Sequence, residues 1–358
     1  MNKTWIKYLS KEFLKTFLFF TFCFYLLYTI IDYSSNIKSF FNASIPLKDL
    51  LIFYIFQISK RADLLIPLSA MLASIRVLTK LNFNRELLAM QAGGFSLKKI
   101  LAPFLAIALI ISLMIALNFE FLTPYATESI ENFEDVYFNN MEKRKKNTIY
   151  QIDLTDSSKL IYQNYESKNK RFYDSYWIKN NNEIYSIKYL YPYSEVPIGI
   201  GVNRIIETET HQKALGASYE SYSFDGMYFN MQNFEDAILP YENRPISSLW
   251  KSTSIFQDSK KRNEHDSLIL SQLTFKICVS LATILSIMVT ATACITFSRQ
   301  IRIFVIYSVS VFGLLSFFTI LNSGLVLAEN MILDPFVSML LPTAIFMIIA
   351  SYKIAKLD

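Results

Sequence analysis

Six long apolar runs limit most strongly what this 358-residue chain can fold into. They lie at about Thr16 to Ile31, Leu50 to Leu78, Ile100 to Phe119, Leu268 to Phe297, Ile303 to Leu327 and Phe336 to Ala350. A helix of about 20 apolar residues crosses the hydrocarbon core of a bilayer, so each run is predicted to span a membrane. The second run is long and carries charges at Lys60, Arg61 and Asp63, so we expect it to tilt or to project at one end.

The segment from about 125 to 266 has a different character. Long apolar runs are replaced by Tyr, Asn, Ser and charged residues, in short alternating stretches such as Ile184 to Tyr189. Turn signals such as Asp225-Gly226 separate these stretches, which is the pattern of a β-rich domain. We therefore predict an α-helical membrane protein with three plus three transmembrane helices, in residues 1–124 and 267–358, and an inserted all-β domain at 125–266.

The sequence carries no motif for catalysis, nucleotide binding or metal binding. It has eight glycines and no G-x-x-x-x-G-K-[S/T] loop, so it is not expected to bind ATP through a P-loop. Its two histidines, His211 and His265, are isolated, which argues against a zinc site. A scattered catalytic site leaves no local pattern, but nothing favours an enzyme, and no cofactor is expected.

Basic residues predict the orientation of the chain in the membrane. The N-terminal tail, residues 80–99, the link at Arg299 and Arg302 and the C-terminal tail are rich in Lys and Arg. If each apolar run crosses once, all four lie on one side, and an excess of Lys and Arg marks the cytoplasmic side. Both termini of this multi-pass protein are therefore predicted to be cytoplasmic, and the β domain lies outside, which for the inner membrane of a double-membrane bacterium means the periplasm.

A polar stretch between the second and third runs, Asn82 to Lys99, predicts a short cytoplasmic helix at about 84–94. Asn84 is a candidate N-cap, and Gly93 and Gly94 are candidates for the helix end. Ser96 is a candidate cap for the following transmembrane helix.

One face of this short helix is predicted to be apolar, because Phe83, Leu87 and Met90 lie at helical spacing. An amphipathic helix of this kind fits the groove of a soluble partner. The alternative is a loop helix that rests on lipid headgroups.

Cations within or beside the apolar runs are candidate ligands for an anionic substrate. Lys60, Arg61 and Lys276 lie inside the runs, where ionisable groups usually face a cavity or a partner. The alternatives are local pairing of Lys60 or Arg61 with Asp63, and an interfacial position for the long side chain of Lys276. Lys38 lies just outside the first run and is added to the candidate substrate-binding set.

Residues 85–96 read Arg-Glu-Leu-Leu-Ala-Met-Gln-Ala-Gly-Gly-Phe-Ser and resemble the cytoplasmic coupling segment of the LptF/LptG (YjgP/YjgQ) permeases, which export lipopolysaccharide. Leu273 to Lys276 is similar to the start of the family's fourth span, and Leu341 to Phe346 is similar to its last span. The Met-Gln-Ala-Gly-Gly-Phe sequence is closer to LptG than to LptF.

The resemblance implies a permease subunit of an ABC exporter, with a periplasmic domain of β-jellyroll type. Its implied partners are an LptF-like permease subunit, a dimer of an LptB-like cytoplasmic ATPase, an LptC/LptA-like periplasmic bridge and lipopolysaccharide. The first and fifth spans would form lateral gates. The implied ATPase-coupling residues are Arg85, Glu86, Leu87, Met90, Gln91, Gly94 and Phe95.

Two other classes of protein remain as alternatives. One is another kind of ABC permease with an external domain, but such permeases typically place one span before that domain rather than three. The other is a membrane-anchored sensor or binding protein with a periplasmic β domain, which needs no helix shaped for an ATPase.

Overall fold

In a computed structural model of the chain, the described residues are 4–42, 45–138, 150–154, 158–166, 171–180, 183–193, 196–207, 213–229, 241–252, 264–295 and 303–356. The chain divides into two compact units, one formed by Met1–Thr127 with Pro245–Asp358 and the other by Glu128–Arg244. The predicted domain limits, 125 and 266, bracket the second unit. His211, Arg299 and Arg302 lie outside the described residues.

Helices account for most of the described chain. They are α1 (Thr4–Asn42), α2 (Leu47–Lys60), α3 (Ala62–Phe83), α4 (Glu86–Ala92), α5 (Leu97–Leu117), α6 (Thr123–Phe138), α7 (Ile246–Ser252), α8 (Glu264–Ile295), α9 (Ile303–Glu329) and α10 (Leu341–Ala355). Two π-helical turns, Asn118–Leu122 and Phe336–Leu340, join α5 to α6 and lead into α10.

Six helical segments of the described chain are long and apolar enough to cross a membrane. They are Thr4–Phe41, Ala62–Phe83, Leu97–Glu134, Asp266–Ile295, Ile303–Glu329 and Phe336–Ala355. Three precede the β strands and three follow them, which confirms the predicted arrangement of transmembrane helices around an inserted β domain.

The first two apolar runs differ in detail from their predictions. α1 has 39 residues, far more than the predicted Thr16 to Ile31, and at about 1.5 Å per residue it is roughly 58 Å long. The second run is not one helix, because Arg61 leaves helical geometry (φ −97°, ψ 8°) and separates α2 from α3. Asp63 lies in the first turn of the new helix, where an acidic side chain is favourable, and its carboxylate accepts a hydrogen bond from the backbone N–H of Leu64 at 2.9 Å.

α8 is the central helix of the first unit and packs against α3, α5, α9 and α10. Its buried face combines small apolar residues with hydroxyl groups that bind neighbouring helices. Ser74 of α3 and Thr290 of α8 lie 2.9 Å apart at their hydroxyl oxygens, and Ser267 of α8 donates to the carbonyl of Ala328 in α9 at 2.9 Å. Helices in lipid associate through such close packing and interhelical hydrogen bonds, so α8 holds both halves of the bundle together.

Three helices at the periphery expose apolar side chains. Phe22 of α1 is 68% exposed, Phe312 of α9 is 72% exposed and Ile348 of α10 is 68% exposed. Large exposed apolar faces on a membrane protein are covered by lipid or by another subunit.

The second unit contains a six-stranded antiparallel sheet. Its strands are β1 (Tyr150–Asp153), β2 (Lys159–Glu166), β3 (Arg171–Asn180), β4 (Glu183–Tyr191), β5 (Ile198–Glu207) and β6 (Lys213–Ser223). Each strand pairs with the next along the chain. This sheet confirms the predicted all-β insert, and within the described residues its strands follow one another in chain order, while the jellyroll type that the resemblance implies stays a prediction.

One face of this sheet carries a closely packed aromatic core. Tyr162, Phe172 and Trp177 are each at most 2% exposed. A Cβ placed on Gly199 of β5 would lie 2.7 Å from Cε2 of Phe224, so the core requires glycine at that position.

Candidate functional site

The candidate coupling segment consists of α4 and the residues that flank it, from Arg85 to Ser96. Arg85 adopts a left-handed conformation (φ 60°) and turns the chain from α3 into α4. Two hydrogen bonds close the other end, from Phe95 N–H to the carbonyl of Met90 at 3.1 Å and from Gly94 N–H to the carbonyl of Gln91 at 2.9 Å. This is the Schellman pattern, and Gly94 supplies its left-handed residue with φ +82°.

The predicted ends of the short helix are partly confirmed. Ser96 caps α5, because its hydroxyl accepts a hydrogen bond from Lys99 N–H at 3.4 Å. Asn84 is not the N-cap of α4, since its side-chain amide instead donates to Oε1 of Glu86 at 3.0 Å. Phe83 does not share the face of Leu87 and Met90, because it ends α3 and is 79% exposed.

The inward face of the coupling segment is anchored in the helical bundle. Leu87 is 4% exposed, and Met90 and Phe95 pack against the same core. The rings of Phe95 and Trp5 in α1 lie 5.2 Å apart between centroids. Leu87, Met90 and Phe95 therefore fix the position of α4, rather than offering most of their surface to a partner.

The outward face of the segment is accessible. Arg85, Gln91 and Gly94 are exposed, and Leu88 is 57% exposed. Leu88 was not among the predicted site residues. Its signal in the sequence is weak, because two adjacent leucines leave open which one faces the bundle.

The carboxylate of Glu86 contacts α1. Tyr8 donates its hydroxyl to Oε2 of Glu86 at 3.1 Å, while Asn84 occupies Oε1. The predicted site did not include Trp5 or Tyr8, because sequence spacing does not show which part of α1 lies beside α4. The one hint is that Trp5, Leu9 and Phe13 repeat every four residues and so form one helical stripe.

Two of the predicted substrate-binding cations lie at the break between α2 and α3. Lys60 is exposed at the end of α2. Nε of Arg61 donates to the hydroxyl of Tyr28 at 3.3 Å, and the guanidinium carbon lies 5.8 Å from the centroid of that ring. This aromatic contact orients Arg61 against α1.

Lys276 lies inside the bundle and is 2% exposed. Its amine is 5.7 Å from the ring centroid of Phe119, in the π-helical turn after α5. The same turn contacts the end of α2, because the side chains of Ser59 and Asn118 hydrogen-bond at 2.8 Å. The backbone near Lys60 and the amine of Lys276 thus both adjoin this turn. The burial of Lys276 does not fit the alternative in which its long side chain reaches the membrane interface.

Lys38 lies apart from this turn, exposed in the C-terminal part of α1. An open groove of about 470 Å³ precedes it, lined by Thr29, Ile30, Tyr33, Ser34 and Ile37 of α1 and by Tyr54 of α2. Apolar side chains dominate the groove.

Comparison with known families accounts for this arrangement of helices and sheet. The family model described as lipopolysaccharide export system permease LptF/LptG matches residues 7–356. No curated protein matches the chain. Members of the matched family are multi-pass permease subunits of the inner membrane and are not enzymes. Because the match covers essentially the full length, the chain belongs to the LptF/LptG family of lipopolysaccharide export permeases.

Proposed function

We propose that this chain serves lipopolysaccharide export by receiving mechanical work from a separate ATPase through the segment from Arg85 to Phe95. The observation that carries this proposal is the division of α4 into two faces. Leu87 is buried in the bundle, whereas Leu88 and Gln91 are exposed. A short helix fixed on one side and accessible on the other can transmit a push from a partner's groove to the transmembrane helices.

The proposed partner is an LptB-like ATPase dimer, because the sequence has no P-loop of its own. An LptF-like second permease and an LptC/LptA-like bridge complete the proposed assembly, with this chain in the LptG position. The exposed apolar faces of α1 and α9 are the proposed contact for the second permease. The other permease type is not favoured, since three spans precede the β unit. The sensor alternative has no support from the family match.

We place α4 and both termini in the cytoplasm and the β unit in the periplasm. Six spans return the C-terminus to the side of the N-terminus, and α4 follows the second span. Lys98 and Lys99 next to α4, and Lys353 and Lys356 at the C-terminus, then satisfy the excess of cytoplasmic cations.

For the substrate, we propose that Lys60 and Arg61 bind phosphate groups of the glycolipid, with Lys38 and Lys276 as further cations. Lys60 and Arg61 lie at the break between α2 and α3, beside apolar surface, which suits a ligand with phosphates and acyl chains. Lys276 would contact the substrate only after the helices around Phe119 separate, because its side chain is buried in this conformation.

The test is reconstitution of this chain with a second permease and the ATPase in vesicles, followed by measurement of ATP-dependent lipopolysaccharide release. The wild-type chain is expected to support release. The double variant Lys60→Glu, Arg61→Glu is expected to lower release at least about tenfold while the ATPase stays bound, since bonds to charged groups contribute roughly 1.5–3 kcal/mol each.

The control is the double variant Lys353→Glu, Lys356→Glu, which makes the same charge change at exposed positions in α10 and at its end. Equal release from the two double variants would overturn the substrate assignment. Failure of the wild-type chain to retain the ATPase would overturn the coupling proposal.

A further inference from the structure

The N-terminal turns of α1 contact the coupling segment through two side-chain pairs, one at each end of α4. Tyr8 donates to Glu86 at the first residue of α4, and Trp5 contacts Phe95 just beyond its end. Both ends of α4 are therefore attached to the same two turns of one helix. This juxtaposition is more specific than general packing, because it includes a hydrogen bond to a carboxylate.

The same turns of α1 are firmly seated in the bundle. Leu9 and Phe13 are fully buried, and Glu12 forms an ion pair with Lys80 of α3 at 3.3 Å. The ring of Phe13 meets that of Phe104 in α5 edge-on, with centroids 5.5 Å apart. A displacement of α4 therefore acts on a part of α1 that is packed as a rigid helix.

The remainder of α1 is held less tightly. The helix continues without interruption to Asn42, but its second half contacts α2 mainly through separate polar and aromatic pairs. Tyr54 donates to Asp32 at 3.2 Å, and the rings of Phe40 and Phe53 lie 6.1 Å apart. A small movement at Tyr8 can be carried along a continuous helix to this second half.

We infer that Tyr8 and Trp5 are positioning residues that attach the coupling segment to α1, so that movement of α4 is passed directly to α1. The inference rests on the proposed function and deepens it by naming the contact between the two elements. In this account the Glu86 carboxylate passes the movement of α4 to α1 through its hydrogen bond with the Tyr8 hydroxyl. It also supports the start of α4.

The test is Tyr8→Phe, which removes one hydroxyl and keeps the ring. In the reconstituted complex, we expect the ATPase to remain bound and the amount of lipopolysaccharide released per ATP hydrolysed to fall at least threefold. Tyr33→Phe is the matched control, because Tyr33 lies on the same helix and lines the groove away from α4. It is expected to leave release per ATP unchanged.

Two further measurements separate a relay from a merely structural role. Tyr8→Phe combined with Glu86→Ala should be no worse than the more severe single variant, since each substitution removes the hydrogen bond from the Tyr8 hydroxyl to the Glu86 carboxylate. Spin labels at Ser35 of α1 and Ile332 after α9 should report a nucleotide-dependent change of distance in the wild type that is reduced in Tyr8→Phe.

Unchanged release per ATP in Tyr8→Phe would overturn the inference. So would a double variant whose fold-loss of release equals the product of the fold-losses of the two single variants. Loss of ATPase binding in Tyr8→Phe would also overturn it, since Tyr8 would then shape the ATPase contact itself. A wild-type chain that binds no ATPase is a different result, because it removes the proposed function before any variant is compared.

Discussion

Replacing Leu88 with Asp is expected to abolish stable association with the ATPase. Leu88 is the large apolar side chain on the outward face of α4 and is 57% exposed, so the substitution leaves the buried anchor at Leu87 intact. A charge at the centre of an apolar contact costs more than truncation, and truncation of such central residues typically costs about 2 kcal/mol or more. We expect at least about 30-fold weaker binding in a pull-down of the detergent-solubilised complex.

The matched control is Ile332→Asp. Ile332 is 67% exposed and lies in the link after α9, which the topology proposed above puts on the side of the membrane opposite the ATPase site. This variant is expected to bind the ATPase as the wild type does. Equal retention of ATPase by Leu88→Asp and by the wild type would mean that α4 is not the contact.

Replacing Gly324 with Leu is expected to disrupt the C-terminal half of the bundle. A Cβ at Gly324 would lie 2.7 Å from the carbonyl oxygen of Ser338. The backbones of α9 and of the π-helical turn before α10 are therefore too close together to accommodate a side chain at this position. Because the opposing atom is backbone, the two helices must separate. We expect the free energy of unfolding to fall by about 3 kcal/mol, which is at the upper end of the usual cost of over-packing a core. The midpoint of thermal unfolding should then fall by roughly 6–12 °C.

Gly313 provides an internal control in the same helix. A Cβ there meets no heavy atom of the described chain within 4 Å, so Gly313→Leu keeps the packing of α9. Thermal unfolding of both variants in detergent, followed by size-exclusion chromatography, makes the comparison. Equal midpoints for the two variants would show that the close approach at Ser338 does not exist.

Much of the fold follows from the sequence for simple physical reasons. Long apolar runs can be satisfied only as membrane helices, so the start of the span is predicted within three residues in four of the six cases. The two exceptions have identifiable causes. Polar residues such as Asp32 and Lys38 hid the continuation of α1, and the break at Arg61 lies within a long apolar run whose pattern does not show where one helix ends and the next begins.

The candidate site was only partly predictable. The glycine-ended helix and the Ser96 cap follow from local backbone preferences, which act over a few residues. Which leucine faces the bundle, and the pairing of Glu86 with Tyr8 across 78 positions, depend on how α1 packs against α4. The burial of Lys276 is likewise a property of the assembled bundle. Its neighbours in the sequence show only that its surroundings are apolar, and they do not show that other helices bury it.

The central claim is that the outward face of α4 contacts the ATPase in the cytoplasm. The most direct measurement is photo-crosslinking in cells from a benzoylphenylalanine placed at Gln91, which is exposed and lies about one turn after Leu88. The account predicts a cross-linked product that contains the ATPase, and none with the ATPase when the probe is placed at Ile332. Cross-links from Gln91 to lipid alone, or to periplasmic proteins, would contradict it.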